Sequence, residues 1–197
     1  PGHMRRLRDA RDAHPDPRLR DEVATVADAI LAAWDAWDGP LDRPERLAHG
    51  DLKVSNLRFD AAGEATCLLD LDTVARLSLD VELGDAWRSW CNPAGEDVTA
   101  CDLRLDLFEA SARAYLAANP QTAEEREALE TAIDRIALEL AARFAADALH
   151  ETYFGWDPDR APTRGDHNLL RARGQLALAQ SVAARRHEIR AILATSG

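Results

Sequence analysis

From Asp21 to Trp37 the apolar residues Val23, Val26, Ala27, Ile30, Leu31 and Trp34 recur at intervals of three and four, the spacing that lays one stripe along one side of an α-helix. Gly39-Pro40 ends that pattern. After Pro93 the same period returns and predicts helices over 103–118, 122–150 and 166–195, with Asn119-Pro120 between the first two and a Thr122-x-x-Glu125 capping box opening the second. The stretch YFGWDPDRAPTRGDHN, with its prolines, glycines and acids, reads as a long surface connection. Only NLRFDAAGEATCLLDLD changes period, to two short apolar strands around an Ala-Ala-Gly turn, a β-hairpin and the single β signal. The predicted fold is mainly α (α+β), a helical bundle with one short β-hairpin set early in the chain.

Composition narrows the partners. A chain of 197 residues, 46% hydrophobic and 30% charged, can bury one sizeable core. Its formal charge of -11 repels phosphodiester backbones and anionic lipid, so neither nucleic acid nor membrane is an expected partner. The basic stretches MRRLRDAR and AARRHEIRA read as solvated helix faces. No apolar run reaches bilayer length and no signal-peptide core stands at the start, which predicts a cytoplasmic protein. Cys67, Cys91 and Cys101 have no CxxC spacing, so they are expected to be core thiols rather than zinc ligands or disulfides. Residues 1–4, PGHM, read as the remnant of a cleaved tag, leaving 5–197 as the domain.

The chemistry gathers in HGDLKVSNLRFDAAGEATCLLDLD, residues 49–72. Phosphoryl transfer from ATP asks little covalent chemistry of a protein. It needs a carboxylate to orient the acceptor hydroxyl and take its proton, and oxygen ligands that hold magnesium on the phosphates. Protein kinases carry these parts as H-R-D-L-x-x-x-N followed by a metal-binding Asp after the next strand. Here His49-Gly50-Asp51-Leu52 leads to Asn56, and Asp70 follows the second strand of the hairpin.

In that order and context the sequence resembles the aminoglycoside phosphotransferase and choline kinase superfamily, whose catalytic loop reads His-Gly-Asp-x-x-x-x-Asn and whose metal strand ends in Asp-x-Asp or Asp-x-Glu. The resemblance implies a protein-kinase-like C-terminal lobe. It makes Asp51 the catalytic base, with His49 bracing the loop, Asn56 and Asp70 as magnesium ligands, and Asp72 a second acid beside the metal. Asn56 would face the ATP phosphates, and Asp85 in ELGDAWR would open the next helix and steady the loop; Lys53, the only lysine, reads equally as a screen for an ATP phosphate or as an exposed side chain. LLDLDTV, ELGDAWRSW, RFAADALHETYF and DHNLLRARGQLAL are similar to the N-acetylhexosamine 1-kinase branch. That similarity implies a carbohydrate acceptor, a sugar or amino sugar, with Arg143 and Tyr153 as its contacts.

Members of this superfamily begin with a β-rich lobe carrying a phosphate-covering loop and a strand lysine. Neither precedes the catalytic loop here, so the sequence is expected to be a C-terminal lobe that lacks its N-terminal nucleotide lobe. A second reading stays open: a truncated or pseudokinase-like module that keeps these residues as loop braces and self-associates or binds a partner through a bare face. Trp34, Trp87 and Trp90 are expected to pack in the core. His150 and His167 are expected at the surface or at helix caps rather than as a metal pair.

Overall fold

The computed structural model describes residues 2–10 and 15–196. Within them the chain is mainly α, with eight α-helices and two two-stranded antiparallel sheets, and it divides into two compact units. Pro1 of the segment read as a tag remnant lies outside the described residues, whereas residues 2–4 begin α1 (Gly2–Ala10), which buries Met4, Leu7 and Ala10.

The first unit comprises Pro1–Asp38, Ala94–Asp102 and Ala137–Ser181. Its α2 (Pro17–Ala36) begins four residues before Asp21, where the sequence predicts its start. Pro17 suits a first helical position, where no N–H is needed, and the Asp16 carboxylate caps the end by accepting the Arg18 N–H at 2.9 Å. Leu19, Val23, Ala27 and Ile30 are buried, as their spacing requires.

The second unit, Gly39–Pro93, Leu103–Ile136 and Val182–Gly197, contains both sheets. The expected hairpin is β2 (Leu57–Phe59) with β3 (Ala65–Leu68), in the register Leu57 to Leu68. Asp60 closes its turn by accepting the N–H groups of Ala62 and Glu64, both at 2.9 Å. A second pair corrects the single-hairpin reading: β1 (Glu45–Ala48) lies antiparallel to β4 (Ala75–Ser78). Four-residue strands joined across 26 intervening residues, 49–74, leave too short a periodicity to read. Helices α3 (Leu79–Trp90), α4 (Leu105–Ala118), α5 (Ala123–Leu129) and α8 (Arg186–Thr195) complete the unit. Its core holds Leu83, Trp87, Phe108, Leu129 and Ile189, with the Trp87 and Phe108 rings edge to face at 4.9 Å.

Two expected long helices are each broken. The capping box at Thr122 and Glu125 forms as read, but α5 then ends at Leu129 and α6 runs from Ala132 to His150. At the break the Glu130 and Thr131 N–H groups bond three residues back, tightening the turn. There α3 comes so close that a Cβ on Gly84 would meet Ala132 O at 2.5 Å. Likewise α7 (Arg164–Ala184) stops before α8 at Arg185, whose guanidinium reaches Leu103 O at 2.7 Å. Apolar stripes continue through both breaks, so periodicity alone could not find them.

Candidate active site

Strand β1 delivers the chain to His49, and the loop that follows is pinned from three directions. Gly50 turns it with φ +81, a left-handed conformation, and a Cβ there would sit 2.7 Å from Thr73 O. Thr73 Oγ1 donates to His49 O at 2.7 Å. From α3 the Glu82 carboxylate accepts both the His49 N–H at 2.9 Å and the Gly50 N–H at 2.7 Å. From the end of the same helix Trp90 Nε1 donates to Leu52 O at 2.6 Å.

His49 is buried and its ring works as a brace. Nδ1 accepts the Asp51 N–H at 3.2 Å, so the ring proton sits on Nε2, which donates to Leu69 O at 2.9 Å. One side chain thus ties the start of the loop to the end of β3.

Asp51 is held by its neighbours through one oxygen. Its Oδ2 accepts from Lys53 Nζ at 2.6 Å and from Asn56 Nδ2 at 3.0 Å, and Asn56 Nδ2 also donates to Asp51 O at 2.9 Å. The hydrogen bond from Lys53 to Asp51 is the main reason the ammonium is held above its ordinary value, and the charges of Asp70 and Asp85 add to it. Three carboxylates therefore act on one lysine. Asn56 is buried in a 3-10 turn, Val54–Asn56, and its nitrogen is committed to Asp51, which leaves Oδ1 as its acceptor.

Asp70 follows β3 in a left-handed conformation, φ 62 and ψ 68, which Asp tolerates better than most residues. It starts the 3-10 turn Leu71–Thr73, which also carries Asp72. Both carboxylates are exposed, and among the described residues neither has a hydrogen-bond or ion-pair partner. No group of three or more His, Cys, Asp or Glu among the described residues is placed to hold a metal. Two carboxylates and an amide oxygen suit magnesium, which keeps waters and substrate phosphate oxygens in its octahedron rather than a full protein cage.

The loop amides are held by a residue that the sequence motifs did not single out. Asp85 lies in the middle of α3 rather than at its opening and is paired with Arg88, whose Nε and second nitrogen reach it at 3.1 and 2.9 Å. Glu82 instead holds the loop amides. The signal was present: Leu79, Leu83 and Ala86 form the buried stripe of α3, and an acid beside Leu83 on that stripe must find donors inside. Trp90, expected as plain packing, also spends its polar tip on the loop.

In the first unit Arg143 and Tyr153 come together, the guanidinium 5.6 Å from the Tyr153 ring centroid and 5.3 Å from that of Phe154. They line a cavity of about 430 Å³ with residues of α1 and α6. His167 is fully buried, against expectation, and Nε2 donates to Asp97 at 2.9 Å. Cys67 is exposed, not a core thiol, on a strand exposed at all four positions, whereas Cys91 and Cys101 are buried.

Residues 2–126 match the model of the phosphotransferase enzyme family, more than half of the chain. The chain belongs to the phosphotransferase enzyme family. The matched stretch contains the whole of the pinned loop, the hairpin and α3, while Arg143 and Tyr153 lie beyond it. Family membership makes the protein a phosphotransferase of the small-molecule kinase class, in which ATP and Mg2+ generally serve. Among the described residues no helix is long and apolar enough to cross a membrane.

Proposed function

We propose that this phosphotransferase moves the γ-phosphoryl group of ATP, with magnesium, to a hydroxyl of a sugar or amino sugar, and that Asp51 takes the hydroxyl proton. The observation that carries the reading is the way Asp51 is held: Lys53 and Asn56 occupy Oδ2 and leave Oδ1 to accept from a hydroxyl. The carboxylate orients that hydroxyl and receives its proton as the acceptor oxygen bonds to phosphorus and the bond to the leaving ADP oxygen breaks. Lys53, 2.6 Å from Asp51 and 44% exposed, offers its ammonium to the phosphate oxygens. Asn56 Oδ1, Asp70 and Asp72 are the oxygen donors that would hold Mg2+, which supplies charge neutralisation on the phosphates when bound. His49, Glu82, Thr73 and Trp90 keep Asp51 in place without touching substrate. For the acceptor we assign Arg143 and Tyr153 as contacts, supported by the cavity they share in the first unit.

The test is ADP release with a panel of sugars and amino sugars, comparing the protein with Asp51→Asn. The variant should keep its fold and lose turnover; turnover equal to the parent would sink the assignment of Asp51.

A non-catalytic binding module is the second reading, favoured by exposed apolar side chains in the second unit, where Leu47 is 76% and Leu71 62% exposed. Under that reading no sugar stimulates ADP release and the protein self-associates in sedimentation at high concentration. A monomer with sugar-dependent ADP release removes it.

A further inference from the structure

Thirty-five acids face 24 Lys and Arg in this chain, and most of the described arginines pair with one of them. Arg18, Arg88 and Arg171 all have partners. Arg6 and Arg143 have none among the described residues, and both line the cavity of the first unit. Nor does Asp147, on the same wall, serve them. Its carboxylate accepts the N–H groups of Thr152, Tyr153 and Phe154 at 2.9 to 3.0 Å and Asn168 Nδ2 at 3.0 Å. The chain has spent that acid on shaping its own loop.

The remaining lining points to a ring. Arg143 lies over two aromatic faces, and Tyr153, which is 72% exposed, presents the flat surface on which a saturated ring's C–H groups pack. Asp9 lines the cavity from α1; its carboxylate has no partner among the described residues and can accept from hydroxyls. A cavity of about 430 Å³ suits a single small ring.

We infer that this cavity binds a small hydroxylated ring bearing a carboxylate, a sugar acid, whose negative charge is supplied to Arg6 and Arg143. The inference goes beyond the proposed function: it stands on the cavity of the first unit alone, and it brings in α1 as a source of specificity.

The experiment is calorimetric titration of the full chain with glucuronate, glucose and glucosamine at equal ionic strength, repeated with Arg6→Gln and Arg143→Gln. Glucuronate should bind saturably and about tenfold or more tighter than glucose, and each substitution should remove about that factor, the worth of one charge-assisted contact. Arg6 is exposed, so its variant keeps the test valid even where Arg143→Gln disturbs the ring stack. Equal binding of glucose and glucuronate, tighter binding of glucosamine, no saturation by glucuronate, or wild-type affinity in both variants would each overturn the inference. Failure of the two readings separates cleanly. Glucosamine-dependent ADP release without glucuronate binding removes this inference and leaves the phosphotransferase, whereas glucuronate binding with no ADP release from any sugar removes the enzyme and leaves the site.

Discussion

Replacing Glu82 by Ala isolates the brace of the catalytic loop. Glu82 is 7% exposed and accepts two loop amides, one of them, from His49, fully buried. A hydrogen bond to a charged group is worth about 1.5–3 kcal/mol, and an orphaned buried donor costs a comparable amount. The His49 amide should incur that cost nearly in full, and the part-buried Gly50 amide less, because water can reach it. The expected loss is about 2–5 kcal/mol, a large share of the roughly 5–15 kcal/mol that holds a domain folded. Glu82→Gln keeps one acceptor but turns an NH2 group toward the other amide, so about half of that loss is expected. Asp85→Asn is the comparison: Asn keeps an oxygen that accepts from the buried Arg88 guanidinium, so only the charge of the contact is lost and the cost should be smaller, about 1–2 kcal/mol. Urea unfolding gives the stabilities and ADP release at saturating substrate gives the rate. Loosening the loop by about 1 Å should lower kcat by about 100-fold, since positioning carries most of phosphoryl transfer. If Glu82→Ala unfolds within about 0.5 kcal/mol of the parent and turns over as fast, the loop amides are satisfied without it and the argument fails.

Gly50→Ala should cost at least about 1–2 kcal/mol from the left-handed backbone alone and more from the Cβ pressed against Thr73 O, read as a lower urea midpoint; an unchanged midpoint would mean that the loop can turn another way. Burial would raise the Asp147 carboxyl, but the N–H groups of Phe154, Thr152 and Tyr153 outweigh it and hold it below its usual value. Such a depressed acid stabilises the fold above its unfolded pKa and loses that contribution as pH falls through the folded one. The urea midpoint should therefore drop below about pH 4, and drop less in Asp147→Asn; parallel curves would contradict the assignment. Burial pushes the Cys91 thiol up to about 12 and Cys101 is also buried, so a thiol reagent at neutral pH should modify one cysteine, Cys67, in the folded protein and all three in denaturant.

The helical stripes, the hairpin and the His49-Gly50-Asp51 loop with Asn56 were legible because each is local. An amphipathic period, a turn around Asp60 and Gly63, and a motif within eight residues all depend on near neighbours. The same locality placed Lys53 against Asp51 and Asn56 beside both. What lay beyond it was set at long range. The pairing of β1 with β4, the break that Gly84 of α3 meets at Ala132, and the choice of Glu82 over Asp85 as the loop's acceptor each depend on which segments come together in space. Helical spacing placed Glu82 beside the buried stripe of α3, but only the fold put two amides within reach of it. The sequence by itself determined the helical stripes, the hairpin and the order of the chemical groups, through periods and spacings of a few residues. Tertiary structure decided which of those groups are held, which oxygens stay free, and which arginines are left without an acid, because hydrogen bonds and burial are settled by neighbours in space.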